Sequence, residues 1–180
     1  FDDLIIGATD ADSNENNSGS SYVVFGKASG FSATMELSSL DGSNGFRLDG
    51  VAAGDSSGWP VSNAGDVNGD GFDDVIVRTT RITQYSYVSG PSYVVFGKAS
   101  GFSATMELSS LDGSNGFRLD GVTNGDYAGW SVSNAGDVNG DGFDDVIVGV
   151  PGADTNGTRS GSSYVVFGKA SGFSATLDLS

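Results

Sequence analysis

The chain repeats itself with a period of 71 residues, and this repeat restricts the fold more than any other feature of the sequence. Residues 22–51 and 93–122 are identical, and the nine-residue phrase Asp66–Asp74 returns unchanged as Asp137–Asp145. A sequence that repeats at a fixed period of this length is typical of stacked supersecondary units, in which equivalent positions share one packing environment. The chain is therefore predicted to be a repeat protein rather than a single irregular domain.

The 180 residues contain one complete repeat and two partial ones. Phe1 is equivalent to Phe72, so the first repeat begins after its own copy of the phrase has almost ended. We expect a partial unit with strands two to four at 1–58, a complete unit at 59–129, and a partial unit with strands one to three at 130–180. The chain is interpreted as part of a longer array.

Each repeat contains four segments with the composition of β-strands. The second and third segments are continuously apolar, as expected of strands that are buried on both faces, and the fourth alternates. Pro60 in the first segment predicts an edge strand or a bulge. A short turn at 35–40 is the helical candidate. In the complete repeat the four strand segments are Trp59–Val67, Asp74–Val77, Ser92–Phe96 and Phe117–Val122.

Together these segments predict an all-β fold built from four-stranded antiparallel blades, as in a β-propeller. About two and a half blades of a larger propeller would lie within this chain.

Composition excludes several classes of function. The chain has neither Cys nor His, which removes disulfides, zinc sites, thiol nucleophiles and catalytic triads with an imidazole base. Its formal net charge of −15 argues against nucleic acid or anionic lipid as a partner. No apolar run approaches the length of a membrane span, so membrane insertion is not expected.

The repeated phrase has the spacing of an oxygen-only calcium loop. Ca²⁺ takes six to eight hard oxygen ligands, and a tight loop offers them from alternate residues. Gly69 and Gly71 allow the sharp curvature that such a loop needs. The predicted ligands of the first complete site are the side chains of Asp66, Asn68, Asp70 and Asp74 with the backbone carbonyl of Phe72; those of the second are Asp137, Asn139, Asp141 and Asp145 with the carbonyl of Phe143.

Several alternatives bear on this interpretation. An EF-hand would need a Glu at position 12 of the loop, where Val77 and Val148 stand, so that motif is excluded. A metal-free turn rich in Asp, Asn and Gly is the competing interpretation. Asp3 is the remaining end of a third, partial site. The adjacent Asp73 and Asp144 are expected to point away into solvent. The role inferred for the metal is structural.

The segment Gly58–Val77 resembles an FG-GAP repeat, the blade unit of the integrin α-subunit propeller and of many bacterial surface proteins. Residues 148–154, with the sequence Val-Gly-Val-Pro-Gly-Ala-Asp, extend the likeness where the family has a Gly-Ala-Pro phrase. The near-perfect repeats are closer to the bacterial surface type. The resemblance implies a propeller of about seven blades. Arg78–Thr80 departs from the pattern.

The repeats differ most between their second and third strands. In the second repeat this segment loses its acids and gains Arg81, Tyr85 and Tyr87, residue types that often anchor binding surfaces. The resemblance implies that the segment lies on the face opposite the calcium turns. The alternative, which we favour, is an extended β-hairpin or packing on the next blade. Trp59 and Trp130 suggest sugar platforms, but their equivalence favours packing between blades.

These observations predict a non-enzymatic, calcium-binding segment of an extracellular or cell-surface propeller. Its expected role is adhesion or binding of a protein or glycan ligand, and its expected partners are further blades or other copies of the chain. Two alternatives stay open: a repeat subunit that assembles into a surface fibre or sheath, and a carrier domain of a larger secreted enzyme.

Overall fold

The computed structural model describes residues 1–83, 86–121, 123 and 125–179, and its regular structure is almost entirely β-strand. Two short 3₁₀ turns, Leu37–Ser39 and Leu108–Ser110, are equivalent, and the first lies within the predicted turn at 35–40. In chain order the strands are β1 (Leu4–Ala8), β2 (Ser20–Val24), β3 (Gly45–Asp49), β4 (Val61–Gly65), β5 (Asp74–Thr83), β6 (Ser86–Val95), β7 (Thr105–Glu107), β8 (Gly116–Asp120), β9 (Ser131–Gly136), β10 (Asp145–Val150), β11 (Ser162–Val166) and β12 (Thr176–Asp178).

The second repeat forms the predicted four-stranded antiparallel sheet. Strands β4, β5, β6 and β8 are neighbours in that order, and the register places Val61 opposite Val77 and Val94 opposite Phe117. Strand β4 begins directly after Pro60 and lies at the edge of the sheet, as that proline predicts. The all-β fold with antiparallel blades is confirmed.

A further strand joins each of the first two sheets from the following repeat, which the sequence did not indicate. Strand β12 pairs in parallel with β8, and β7 pairs in parallel with β3. The first sheet therefore has the order β1-β2-β3-β7, and the third contains β9, β10 and β11. These short strands were missed because the pairing crosses from one repeat to the next.

The central strands of the second sheet are buried on both faces because a neighbouring sheet covers each face. Ile76 and Val94 belong to a core shared with the third repeat, whereas Val77 and Val95 belong to a core shared with the first. Side chains alternate along a strand, so neighbouring residues enter opposite cores. This arrangement explains why the second and third strands read as uninterrupted apolar runs.

Phenylalanine pairs tie successive repeats together. The ring of Phe102 stacks on Phe46 of the preceding repeat with centroids 4.3 Å apart, and Phe173 stacks on Phe117 at 4.7 Å. Offset aromatic contacts at such distances add to the stabilisation that burial provides. Each repeat is thus anchored to the one before it by both a short parallel strand and an aromatic contact.

Candidate metal centre and the opposite face

The phrase Asp66–Asp74 forms the loop between β4 and β5. Gly69 and Gly71 have φ values of +73° and +88°, and Gly140 and Gly142 in the second copy have +77° and +91°. Residues other than glycine are strained in this left-handed region, so these glycines permit the tight curvature that the sequence predicts. The two loops have the same backbone form.

Side chains of the loop accept hydrogen bonds from the loop's own backbone. The carboxylate of Asp66 accepts from the N–H groups of Asp70 at 3.0 Å and Gly71 at 2.8 Å. Asn68 Oδ1 accepts from the Asp70 N–H at 2.9 Å, and Asp70 Oδ1 accepts from the Phe72 N–H at 2.9 Å. Asp137, Asn139 and Asp141 repeat these contacts in the second loop. The bonds gather three oxygen-bearing side chains around each loop.

Asp74 closes the loop from a fully buried position. Its two carboxylate oxygens accept from the N–H groups of Val67 at 3.0 Å and Gly97 at 2.8 Å. Burial raises the pKa of the Asp74 carboxyl to about 7, against the effect of these two bonds, and the charges of Asp70 and Asp66 raise it further. A cation in the loop would offset this accumulation of negative charge.

The same closing contact is present in the other repeats. Asp145 accepts from the N–H groups of Val138 and Gly168, and Asp3 accepts from the N–H of Gly26 at 2.8 Å. Asp3 therefore holds the position equivalent to Asp74, as its place in the repeat predicts. Where a metal was predicted, the structure provides a repeated arrangement of carboxylates and amide oxygens.

The donor set suits Ca²⁺ in chemistry, since every side-chain donor is a hard oxygen and each oxygen that accepts one hydrogen bond keeps a second lone pair. Within the described residues, however, no group of three or more acidic side chains is close enough to hold a metal ion. The hydrogen bonds are also those of a metal-free Asp- and Asn-rich turn. Calcium binding by these loops therefore stays a prediction.

Asp144 does not point into solvent as predicted. Its carboxylate accepts from the N–H of Asp66 at 2.9 Å, and its own N–H donates to the Asp66 carbonyl at 3.1 Å. The prediction was wrong because the loop of the preceding repeat covers this position. Asp73, its equivalent in the second repeat, is exposed and accepts a bond from the Asn63 side chain.

The variable segment of the second repeat forms an extended hairpin, which is the interpretation favoured from the sequence. Strands β5 and β6 continue past the body of the sheet, with Arg81 opposite Val88 and Ile82 opposite Tyr87. Tyr85 lies outside the described residues. The connectivity places this hairpin at the end of the sheet opposite the loop Asp66–Asp74, because β5 runs from one to the other.

Arg78 supports the base of this hairpin. Its side chain is buried, and its Nε donates to the Ala128 carbonyl at 3.0 Å. Burial lowers the pKa of the guanidinium. The equivalent residues, Gly7 and Gly149, are glycines, so this change belongs to the second repeat alone. The departure from the Gly-Ala-Pro phrase thus accompanies a local change in packing.

Trp59 and Trp130 do not pack between blades as predicted. Their exposed fractions are 71% and 60%, and the Trp130 ring makes an edge contact with Tyr127 at 6.0 Å between centroids. Both tryptophans precede the first strand of a blade, at the end where the variable segments lie. Equivalence between repeats indicated a shared environment, and that environment is the surface. Tyr127 was missed because it has no aromatic equivalent in the preceding repeat, where Ser56 stands.

Among the residues that the structure describes, no helix is long and apolar enough to span a membrane.

Comparison with known proteins assigns the repeats. The FG-GAP repeat matches residues 58–95 and 128–166, which include both predicted calcium loops. Integrin alpha pat-2 of Caenorhabditis briggsae is 37% identical over 116 residues, an alignment that covers 59% of this chain and 9% of that protein. The chain therefore spans only a small part of the relative's length. With the antiparallel blades described above, these matches show that the chain contains two FG-GAP repeats and is similar, over part of its length, to an integrin alpha protein.

Proposed function

We propose that this chain is part of an extracellular, non-enzymatic β-propeller that calcium stabilises and that binds a protein or glycan ligand in adhesion. The observation that carries the proposal is the contrast between the two ends of the blades. One end bears identical acidic loops, whereas the other bears segments that differ between repeats, together with exposed aromatic side chains. Loops held by a rigid scaffold are common carriers of binding function.

Electrostatics supports the calcium component of the proposal. Burial is the main cause that raises the pKa of the Asp74 carboxyl, and the nearby charges of Asp70 and Asp66 raise it further. The whole chain carries a net charge of −15, so bound cations would also reduce repulsion between blades. The proposed ligands in the loops are Asp66, Asn68, Asp70, the Phe72 carbonyl and Asp74, and Asp137, Asn139, Asp141, the Phe143 carbonyl and Asp145.

Calorimetric titration with calcium and thermal melting test this component. The chain is expected to bind one equivalent per complete loop, and Asp70→Ala is expected to remove one of the two. Asp73→Ala is the matched control, because Asp73 is exposed and belongs to no proposed ligand set. Excess chelator should lower the melting temperature, since a ligand that binds only the folded state stabilises it. An unchanged melting temperature in chelator would contradict a structural role for calcium.

The exposed aromatic residues support the binding component. Trp59 and Trp130 occupy the same end as the hairpin that contains Arg81 and Tyr87, and Trp130 has Tyr127 beside it. Tryptophan, tyrosine and arginine are enriched among the residues that dominate binding energy. Large aromatic faces open to solvent also suit the flat apolar faces of sugars.

An oligosaccharide array and a library of extracellular protein domains test the binding component. Trp130→Ala and the triple variant Arg81→Ala, Tyr85→Ala, Tyr87→Ala are expected to lose binding without a change in melting temperature. Asp73→Ala at the opposite end should bind as the original chain does. If the wild-type chain captures no member of either set, or if all three variants bind equally, this end is not the ligand surface. The chain's mass with and without calcium distinguishes the alternative of assembly into a fibre.

A further inference from the structure

Among the described residues, Arg78 is a buried cation without a carboxylate partner. The residue is only 3% exposed, and the ion pairs found in the described part of the chain involve two other arginines. Burial lowers the pKa of the Arg78 guanidinium, and no neighbouring carboxylate raises it. Residues 79–89, which continue the hairpin, contain neither Asp nor Glu. Because an arginine side chain keeps its proton in proteins, this charge stays in the interior of the molecule.

The backbone fixes the place of this guanidinium at the junction of the second and third repeats. The Arg78 N–H donates to the Pro60 carbonyl at 3.0 Å, and the Arg78 carbonyl accepts from the Gly58 N–H at 3.1 Å, so the residue continues the pairing of β4 with β5. Its side chain crosses to the third repeat, where Nε donates to the Ala128 carbonyl at 3.0 Å. The head group is therefore held between two blades rather than in solvent.

Two polar side chains meet the backbone of the third repeat at Gly129. A Cβ at Gly129 would lie 2.9 Å from Arg78 Cδ and 2.4 Å from Ser92 Oγ. Ser92 is 2% exposed and lies opposite Arg78 in the β5–β6 register, so both side chains leave the same face of the sheet. Nη2 of Arg78 is buried and has no hydrogen-bond partner among the described residues. A buried charged donor without an acceptor is unfavourable, so the junction favours a ligand that accepts hydrogen bonds.

The charge is not needed to fill space at this position. Gly7 is the equivalent residue of the first repeat, and a Cβ there would lie 1.8 Å from the Gly58 carbonyl oxygen, so that junction has no room for a side chain. The junction beside Arg78 does accept a long side chain, and an apolar one would pack there without the cost of burying an unpaired charge. The guanidinium therefore points to a partner of opposite charge.

We propose that the Arg78 guanidinium and the Ser92 hydroxyl form a binding site for one small monovalent anion, of the size of chloride or formate. The anion accepts a hydrogen bond from Nη2 and neutralises the buried charge. Its size is limited because the Gly129 backbone lies against both side chains. By holding Arg78 in place on the Ala128 carbonyl, the anion stabilises the turn that carries the exposed ring of Trp130. The site goes beyond the proposed function and depends on neither calcium nor an adhesion ligand.

Thermal melting in sodium chloride and in sodium gluconate of equal concentration tests the proposal, with calcium held at one concentration throughout. Gluconate is too large for the site and serves as the reference anion. Replacement of gluconate by chloride, at about ten times the dissociation constant of chloride, should raise the melting temperature by about 3 °C. Arg78→Met keeps the length of the side chain and removes the charge, so its melting temperature should not respond to the exchange.

Arg118→Met is the matched control, because Arg118 has the Asp120 carboxylate as its partner at 2.8 Å. This variant should respond to chloride as wild type does. An equal rise in wild type and Arg78→Met, or no rise in wild type, would overturn the proposal.

Nuclear magnetic resonance of the chain labelled with ¹⁵N-arginine is a second measurement that does not require Arg78→Met to fold. The Arg78 side-chain signal should shift saturably as chloride replaces gluconate, whereas the Arg118 signal should not. An Arg78 signal that stays fixed would overturn the proposal. Since both measurements use only simple salts, their failure would leave the proposed adhesion function untouched.

Discussion

The loops Asp66–Asp74 and Asp137–Asp145 have identical sequences but different surroundings. Val67 in the first loop is 0% exposed, whereas Val138 in the second is 56% exposed. Both loops keep the internal hydrogen bonds that their Asp and Asn side chains make with nearby N–H groups. The difference shows that the shape of the loop is local, whereas its burial depends on the following blade.

The largest expected difference comes from a charge at the covered valine. Val67→Asp should lower the free energy of unfolding by about 4 kcal/mol or more, because it removes a buried apolar side chain and buries a carboxylate. Val138→Asp should change it by less than about 0.5 kcal/mol. Urea denaturation of both variants measures the contrast. Equal losses would mean that the third repeat does not cover the first loop in solution.

A second pair of variants tests how closely the next blade approaches. A Cβ at Gly69 would lie 2.3 Å from the Phe143 ring, whereas a Cβ at Gly140 would meet no atom within 4 Å. Gly140→Ala should cost about 1 kcal/mol for the left-handed backbone alone. Gly69→Ala should cost about 2 kcal/mol, since the ring must also move. Chemical denaturation at matched calcium concentration measures the two losses of unfolding free energy. Equal losses would mean that the Phe143 ring does not pack closely on Gly69 in solution.

The two equivalent aspartates give a smaller contrast. Asp144→Ala should lower the free energy of unfolding by about 1.5 kcal/mol, because the Asp66 N–H loses a charged acceptor. Asp73→Ala should change it by less than about 0.5 kcal/mol, since that side chain is exposed. Thermal melting of the single variants is sufficient here. An effect of Asp73→Ala as large as that of Asp144→Ala would contradict the difference in surroundings between these two side chains.

Removal of calcium is expected to produce the smallest difference between the two loops. The covered loop is held by the third repeat, whereas the second loop depends on its own bonds and on the proposed metal. Chelation should therefore speed amide exchange more at Asp141 and Phe143 than at Asp70 and Phe72. Native-state exchange followed by NMR resolves the four amides. The proposed difference in metal dependence would be contradicted by equal acceleration in both loops.

Much of the fold could be predicted from the sequence because its determinants are local and repeated. Continuous apolar runs identified strands β5 and β6, Pro60 identified an edge, and the spacing of Asp66, Asn68 and Asp70 identified the loop. The parallel pairing of β7 and β12 could not be predicted, since it joins residues of different repeats. Trp59 and Trp130 were placed wrongly because periodicity indicates only that two environments are alike.

The sequence by itself determined the repeat, the antiparallel strands and the backbone form of the acidic loops. These features depend on alternation, apolar runs and glycines that accept positive φ, all of which act over a few residues. Only the tertiary structure decided which copy of an identical residue is buried, as Val67 and Val138 demonstrate. Burial depends on what packs against a residue, and in a stacked repeat that neighbour lies about one period away along the chain.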